Sequence, residues 1–190
     1  MRYASAFLAS GFAALAALVA TGATKGIDRW AIDHTMPGAQ FSSHTPSAAE
    51  ALVPLLHVRW HGAVHVLAEI VTVPASFLVS LLVLLALRRW AWLVVWAIGS
   101  AVEEICKTAL TRPALYHHGL HLAAFDHSYP SGHTIRAVVL AAAIGRRSAW
   151  AWAVAAIVLL EVGGFHVPTD IAGGLVLGLG LRLGLLALRR

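Results

Sequence analysis

The hexapeptide YPSGHT, residues 129–134, lies between a histidine-rich polar segment and a long run of apolar residues. Pro130 suits the first turn of a helix, because the N–H that proline lacks would have no partner there. Ser131 and Gly132 then place a hydroxyl and an unobstructed backbone at a helix N-terminus, where free N–H groups and the helix dipole favour an anion. His133 adds an imidazole that can give or take a proton near neutral pH. The stretch predicts an anion site with an acid–base group; a turn that merely starts a membrane helix is the alternative.

Apolar residues make up 59% of the 190-residue chain and charged residues only 12%, with a mean hydropathy of +0.76. Soluble domains carry about twice that share of charge. The composition predicts a single domain, residues 1–190, that folds as an all-α polytopic helix bundle in a membrane. Cys106 is the single cysteine, so a disulfide within the chain is excluded.

Long apolar stretches predict about six transmembrane helices. We expect them at residues 4–24, 61–87, 90–110, 131–145, 148–164 and 168–188. The first stretch could instead be a signal peptide, because residues 21–23 resemble a small-residue cleavage site. Residues 25–60 are rich in proline, serine and threonine and are expected to form an extracytoplasmic loop, with a second polar loop at 111–130.

Arginines mark one side of the predicted membrane. With six spans, one face receives Arg2, Arg88-Arg89, Arg146-Arg147 and Arg189-Arg190. By the positive-inside rule that face is cytoplasmic, and the hexapeptide lies on the opposite, extracytoplasmic side. The net charge of +5 then comes mostly from arginines that set the orientation of the chain in the membrane. Membrane lipids are therefore the expected partners, and nucleic acid is not.

Three separate segments carry ionisable residues to the extracytoplasmic face. Besides the hexapeptide, they are Lys107 to Arg112, at the end of the third helix, and His166 to Asp170, before the sixth. Arginine and lysine hold phosphate oxygens. A histidine oriented by a carboxylate can act as a nucleophile, and a second histidine can protonate the leaving oxygen. Because ionisable groups at membrane depth are usually functional, the three segments together predict a phosphoryl-transfer site.

The three segments resemble the signature motifs of the type 2 phosphatidic acid phosphatase family of integral-membrane lipid phosphatases. That family has Lys-x6-Arg-Pro, then Pro-Ser-Gly-His, then Ser-Arg-x5-His-x3-Asp, and the corresponding segments here fall within residues 103–170. The resemblance implies hydrolysis of a phosphate or diphosphate from a lipid through a phosphohistidine, without a metal or another cofactor. An isoprenoid phosphate or diphosphate is the first choice of substrate, and a phosphatidic acid-like lipid the next. The implied location is a bacterial inner or plasma membrane.

The resemblance also implies a role for each matching residue. His166 would attack phosphorus, Asp170 would orient it, and His133 would protonate the leaving group. Arg112 and the backbone amides of Ser131 and Gly132 would hold the phosphate.

The first motif departs from the family pattern. Its lysine would fall at Ile105, whereas Lys107 lies five residues before Arg112. On a continuing helix a shift of two residues turns a side chain by about 200°. Lys107 can therefore bind phosphate only if the helix has ended or bulges; otherwise we expect it to pair with Glu103 or Glu104, one turn earlier.

The third motif lacks its arginine, because Leu160 stands at that position. A phosphate clamp without this guanidinium loses a contact of about 1.5–3 kcal/mol. Arg136 lies on the same helical face as His133 and is expected to bind the phosphate instead; the alternative is a salt bridge to Glu161 or Glu104. The two departures leave a second hypothesis open, namely a catalytically impaired family member that binds a lipid phosphate without turnover.

Three histidines, His57, His61 and His65, are four residues apart and would share one face of a helix. Such a stripe can bind a transition metal. Histidines at a bilayer interface more often face water, so no metal site is predicted.

Overall fold

The computed structural model describes residues 2–36 and 62–189. These residues form eight α-helices: α1 (Arg2–Thr21), α2 (Lys25–His34), α3 (Gly62–Thr72), α4 (Phe77–Ala86), α5 (Trp90–Ala109), α6 (Gly132–Ile144), α7 (Arg147–Val162) and α8 (Pro168–Leu188). The predicted polar loop at 111–130 contains a small antiparallel hairpin of β1 (Tyr116–His117) and β2 (Leu120–His121). Short 3-10 turns lie at Val73–Ala75 and Ala123–Phe125. The prediction of an all-α fold is confirmed.

Two of the described helices are long and apolar enough to cross a membrane, over Tyr3–Thr21 and Pro168–Leu188. A third candidate is α3 and α4 taken together, although they are bent by 42° at their junction. Helix α6 has only 13 residues, or about 20 Å of helix against a hydrocarbon core of about 30 Å. Helix α5 has Glu103 and Lys107 near its end. Length and composition thus support two or three spans, and the prediction of about six is not confirmed.

The outer surface of the bundle is apolar in many places. Large side chains that expose more than half of their surface occur on five different helices: Phe7, Ile70, Leu78, Val94 and Val158. Extended apolar surface marks contact with a membrane or with another protein. Together with the long apolar helices, this surface supports a membrane protein.

The prediction of one continuous helix at 61–87 is wrong. Pro74 cannot donate a backbone hydrogen bond, and the chain there forms the 3-10 turn Val73–Ala75 instead of α-helix. Ser76 is extended, with ψ 157°, and α4 begins after it. The break leaves the carbonyl of Ala75 without a helical partner, and this oxygen accepts a hydrogen bond of 2.8 Å from Arg136 Nε.

The prediction that residues 25–60 form a loop is wrong in its first part, because Lys25–His34 forms α2; the extracytoplasmic side of this segment stays a prediction. Asp28, Ala31 and Ile32 are its buried residues, and their spacing of three and four places them on one face. That face packs on an apolar cluster that includes Leu115, Leu122, Phe125 and Val167. The rest of the predicted loop, from residue 37 on, lies outside the described residues.

The largest apolar core lies where α4, α5 and α6 meet. Its buried members are Leu84, Trp92, Val95, Trp96, Ile135, Val139, Leu140 and Ala143. Trp96 Nε1 donates to Ser80 Oγ at 2.9 Å, so the buried indole keeps a hydrogen-bond partner. Inside a membrane, such side chains hold helices together through close van der Waals packing. The core holds α5 and α6 in the positions that the site requires.

Glycine lets α8 approach the start of α6 closely. A Cβ atom at Gly174 would lie 2.6 Å from Ser131 O and 2.8 Å from Thr134 Cβ, which is too close for any real side chain. Farther along α8, a Cβ at Gly178 would lie 3.1 Å from Val138 Cβ. Small residues at such contacts are typical of packed membrane helices. The first turns of α6 and α8 therefore lie against each other.

Polar groups and arginine pairs lie at opposite ends of the bundle. The end of α5 meets the start of α6 through Glu103 and Arg136, and the start of α8 meets Ser128 through Asp170. The turns that contain Arg88-Arg89 and Arg146-Arg147 join the other ends of these helices. One end of the bundle thus collects the predicted site residues.

Candidate functional site

Ser131 is the N-cap of α6, which begins at Gly132. Ser131 Oγ accepts hydrogen bonds from Thr134 N at 3.3 Å and from the Thr134 hydroxyl at 3.1 Å, as serine commonly does at this position. Pro130 precedes the N-cap and follows a cis peptide bond; the prediction that it fills the first turn is wrong. Within the described part of the chain, the N–H groups of Gly132 and His133 have no acceptor.

His133 and His166 are neighbours at this end of the bundle. Their ring centroids lie 6.4 Å apart, with the ring planes inclined by 53°. His166 Nδ1 lies 3.4 Å from Asp170 Oδ2, one turn further along the chain. A carboxylate at Nδ1 fixes the orientation of an imidazole and leaves Nε2 as the reactive nitrogen. The structure thus brings the predicted nucleophile, its orienting carboxylate and the predicted acid together.

A tight turn between α7 and α8 presents His166. Gly164 has a positive φ of 78°, which glycine adopts without strain. The N–H groups of Phe165 and His166 donate to Leu160 O at 2.9 and 3.2 Å, and Pro168 then starts α8. Leu160, where the motif would have an arginine, is only 2% exposed. Its side chain contributes to packing, and its carbonyl closes the turn.

Asp170 connects three segments of the site. It is completely buried, and Oδ2 accepts a hydrogen bond of 2.6 Å from Ser128 Oγ besides its contact with His166. Oδ1 accepts from Arg112 Nη2 at 2.7 Å. The backbone carbonyl of Asp170 also accepts from Ser131 N at 2.9 Å. A buried carboxylate with this many donors is held firmly in position.

Arg112 is held by the start of α8. Nη2 donates to Thr169 Oγ1 at 2.9 Å and to Asp170 Oδ1 at 2.7 Å, and Nη1 lies 3.8 Å from Asp28 Oδ2. Nη1 is buried and has no hydrogen-bond partner among the described residues. Arg112 therefore fixes the carboxylate that orients His166 and keeps one amino group for a further acceptor.

Asp28 belongs to the same cluster, although the sequence analysis did not single it out. Its Oδ1 accepts from Thr169 N at 3.3 Å and its Oδ2 from the Thr169 hydroxyl at 2.9 Å. Burial raises the pKa of Asp28, while the positive charge of Arg112 opposes the rise. The signal that could have indicated it is an acidic residue on the apolar face of α2, where Ala31 and Ile32 are buried.

A second buried ion cluster lies beside the start of α6. Glu103 is 6% exposed and accepts from Arg136 Nη1 at 2.6 Å and from Lys107 Nζ. Arg136 also donates Nε to Ala75 O. Because α5 continues to Ala109, Lys107 lies one turn after Glu103. The alternative prediction that Lys107 pairs with a glutamate is confirmed, with Glu103 as the partner.

The predicted alternative for Arg136, a salt bridge to Glu161 or Glu104, is wrong. Glu161 accepts from Thr35 Oγ1 at 2.9 Å, and Glu104 is exposed on the outer side of α5. Arg136 instead pairs with Glu103, which precedes Glu104 on α5 and lies on the side of the helix that faces α6. Phosphate binding by Arg136 and Lys107 stays a prediction, and both cations are bound to a carboxylate in this structure.

The carboxylate of Glu103 also packs against Gly132. A Cβ atom at Gly132 would collide with Oε1, Cδ and Oε2 of Glu103, so only glycine permits this contact. A negative charge at the first turn of a helix is stabilised by the helix dipole. The place where the sequence predicts an external anion therefore borders on a carboxylate of the protein itself.

The described part of the histidine stripe does not form a metal site. His65 Nδ1 lies 2.8 Å from Gly163 O, its ring stacks on Phe165 at 4.4 Å, and Nε2 lies 3.6 Å from Glu69. His57 and His61 lie outside the described residues. Across residues 2–36 and 62–189, no three His, Cys, Asp or Glu side chains are arranged to hold a metal ion.

Comparisons of the chain with protein-family models, with curated proteins and with solved structures find no match. The chemistry of the site is therefore the main indication of function. A histidine held by a carboxylate, a second histidine and a helix N-terminus with free N–H groups are suited to phosphoryl transfer.

Proposed function

We propose that this chain is an integral-membrane lipid phosphatase of the type 2 phosphatidic acid phosphatase family. It hydrolyses a phosphate or diphosphate from a lipid, either an isoprenoid phosphate or diphosphate or a phosphatidic acid-like lipid. The observation that carries the proposal is the distance of 6.4 Å between the ring centroids of His133 and His166, with Asp170 beside His166. The complete Pro-Ser-Gly-His match at 130–133 supports it.

In the proposed mechanism, His166 Nε2 attacks phosphorus while the bond between phosphorus and the leaving oxygen breaks. His133 donates a proton to that oxygen, and the lipid product leaves. Water then attacks the phosphohistidine, His133 takes a proton from this water, and inorganic phosphate is released. Asp170 holds the His166 ring and stabilises its positive charge. The mechanism uses no metal and no cofactor.

The phosphate lies at the start of α6 in this mechanism. The N–H groups of Gly132 and His133 and the helix dipole favour its negative charge. Nη1 of Arg112 is buried without a hydrogen-bond partner among the described residues, which supports a charge-assisted contact with a phosphate oxygen. Lys107 and Arg136 can add positive charge only if the phosphate takes the place of Glu103, which both cations bind in this structure.

The proposed site faces the extracytoplasmic side of a bacterial inner or plasma membrane. Support comes from the turns with Arg88-Arg89 and Arg146-Arg147, which lie at the opposite ends of the helices that form the site and which the positive-inside rule assigns to the cytoplasm. A bundle of about six spans would also include α5, α6 and α7; Val94 on α5 and Val154 on α7 are exposed.

A second candidate function is binding of a lipid phosphate without turnover. The observation that favours it is that each predicted phosphate-binding cation contacts a carboxylate, Arg112 that of Asp170, and Lys107 and Arg136 that of Glu103. The presence of His133 beside His166, which Asp170 contacts, favours the enzyme.

Phosphate release from a panel of lipid phosphates in detergent micelles, with a chelator present, tests the proposal. The panel contains an isoprenoid monophosphate, an isoprenoid diphosphate, phosphatidic acid and phosphatidylglycerol phosphate. We expect the wild-type protein to release phosphate and the His166→Ala variant to lose this activity, because the nucleophile is gone. His34→Ala removes an exposed histidine of α2 and is the matched control, which should keep full activity.

Measuring the binding of the same lipids alongside phosphate release separates the two candidates. Lipid phosphate that binds to the folded protein but is never hydrolysed would favour the binding protein. Activity that disappears with the chelator would contradict a metal-free phosphohistidine route.

A further inference from the structure

We infer that Glu103 is an internal competitor of the substrate phosphate at the start of α6, and that it thereby limits how much negative charge the site accepts. The inference deepens the proposed function and rests on it, because the proposed function identifies the external anion as a phosphate. The contacts that Glu103 makes in this structure identify it as the competitor.

The position of the carboxylate is the first argument. Glu103 lies in contact with the backbone of Gly132, so closely that a Cβ atom there would collide with the whole carboxyl group. Gly132 N–H and His133 N–H are the groups that the proposed function assigns to the phosphate. A phosphate bound to these amides would lie next to two carboxylate oxygens, and like charges at such a separation repel strongly.

The cations are the second argument. Arg136 and Lys107 both bind Glu103, the carboxylate that contacts Gly132, Arg136 through a hydrogen bond of 2.6 Å from Nη1. The carboxylate is 6% exposed, so water compensates little of its charge. An incoming phosphate must therefore replace Glu103 at these cations or bind beside it without their help.

The remaining cation of the site, Arg112, can reach a phosphate oxygen through Nη1 but adds little net positive charge. Arg112 is already opposed by Asp170 at 2.7 Å and by Asp28 at 3.8 Å. A diphosphate carries more negative charge than a monophosphate and would meet more repulsion from Glu103. The site as it stands therefore favours a monophosphate.

The chain offers a matched pair of variants for a test. Glu103→Gln removes the charge and keeps the size of the side chain. Glu104→Gln makes the same chemical change at the next residue, which is exposed and points about 100° away on the helix. The probes are inorganic phosphate and pyrophosphate, measured by calorimetry with purified protein in detergent at constant ionic strength.

We expect Glu103→Gln to bind inorganic phosphate at least about tenfold more tightly than the wild type, because a unit charge about 4 Å away contributes more than this even at an effective dielectric constant of about 20. The gain should be larger for pyrophosphate. Glu104→Gln should leave both affinities unchanged. Unchanged or weaker phosphate binding by folded Glu103→Gln, or no binding to either protein, would overturn the inference.

A second variant keeps the inference testable if Glu103→Gln does not fold. Glu103→Asp retains the charge and withdraws the carboxylate from Gly132 by one methylene, so we expect a smaller increase in affinity; equal or weaker binding would overturn the inference. Calorimetry with inorganic phosphate measures binding and does not depend on catalysis. The proposed phosphatase activity and the proposed role of Glu103 can therefore fail independently of each other. Tighter binding by the variant without hydrolysis by the wild type would refute the phosphatase and retain the competitor.

Discussion

Replacing Arg112 by methionine removes the cation at the centre of the cluster that holds the Asp170 carboxylate. Its guanidinium donates to Asp170 at 2.7 Å and to Thr169 at 2.9 Å and lies 3.8 Å from Asp28. Methionine fills a similar space with an apolar chain. The variant therefore retains most of the packing and leaves two buried carboxylates close to each other without this cation.

The expected loss of stability follows from the burial of these groups. Removing one partner of a buried ion pair costs about 3–5 kcal/mol. Asp170 is 0% exposed and Asp28 only 2%, so water cannot replace the guanidinium. Asp170 keeps its hydrogen bond of 2.6 Å from Ser128, which offsets part of the loss. We expect about 3 kcal/mol, or a decrease in the melting temperature of about 6–12 °C for a chain of this length.

Thermal unfolding in detergent, followed by tryptophan fluorescence, measures this loss. In the Asp28→Asn background, the Arg112→Met change should cost about 1–3 kcal/mol less than it does in the wild type. The reason is that only one buried carboxylate, Asp170, is then left without the cation. Arg29→Met removes an exposed arginine of α2 and is the matched control, expected within about 0.5 kcal/mol of the wild type.

A loss of less than about 1 kcal/mol for Arg112→Met would refute this account. The guanidinium would then not be held between the two aspartates. It would instead be available entirely to the substrate, as the sequence pattern alone suggests.

Two further predictions concern α2 and α8. Burial raises the pKa of Asp28. The stability that this group contributes is therefore present below the ordinary aspartate pKa and is lost as pH rises through the higher pKa of the folded state. The Asp28→Asn variant cannot lose stability in this way, so its melting temperature relative to that of the wild type should improve between about pH 4 and pH 7. A difference that stays constant over this range would contradict the raised pKa. Gly174→Ala places a Cβ 2.6 Å from Ser131 O and should destabilise by about 1–3 kcal/mol, whereas Gly184→Ala, whose Cβ would meet no described atom within 4 Å, should not. Equal melting temperatures for these two variants would show that α8 does not approach α6 so closely.

Several helices could be predicted from the sequence because an apolar run carries its own signal. Helices α5 to α8 begin and end within a few residues of the predicted bounds. Two predictions failed for local reasons that hydropathy does not register. Pro74 breaks an otherwise apolar stretch because it lacks a backbone N–H, and α2 is a short helix whose buried face is interrupted by Asp28.

The residues of the candidate site differ in how far they could be predicted. His133, His166 and Asp170 lie in short motifs, and the spacing of four between His166 and Asp170 places His166 just before α8 and Asp170 in its first turn. Asp28 could not be assigned in this way, and for Glu103 only the pairing with Lys107, one turn later on the same helix, was predictable. Their partners Thr169, Arg112, Arg136 and Gly132 lie far away along the chain.

Sequence alone was sufficient for the all-α class, the apolar helices and the histidines with their carboxylate, because hydropathy and short-range spacing depend only on neighbouring residues. The tertiary structure decided which charges meet. It committed Arg112 to Asp170 and Asp28, and it set Glu103 between Arg136 and Gly132. The physical reason is that a buried charge takes its partner from whichever helix packs against it, and the packing of α5, α6 and α8 depends on side chains along the whole length of those helices.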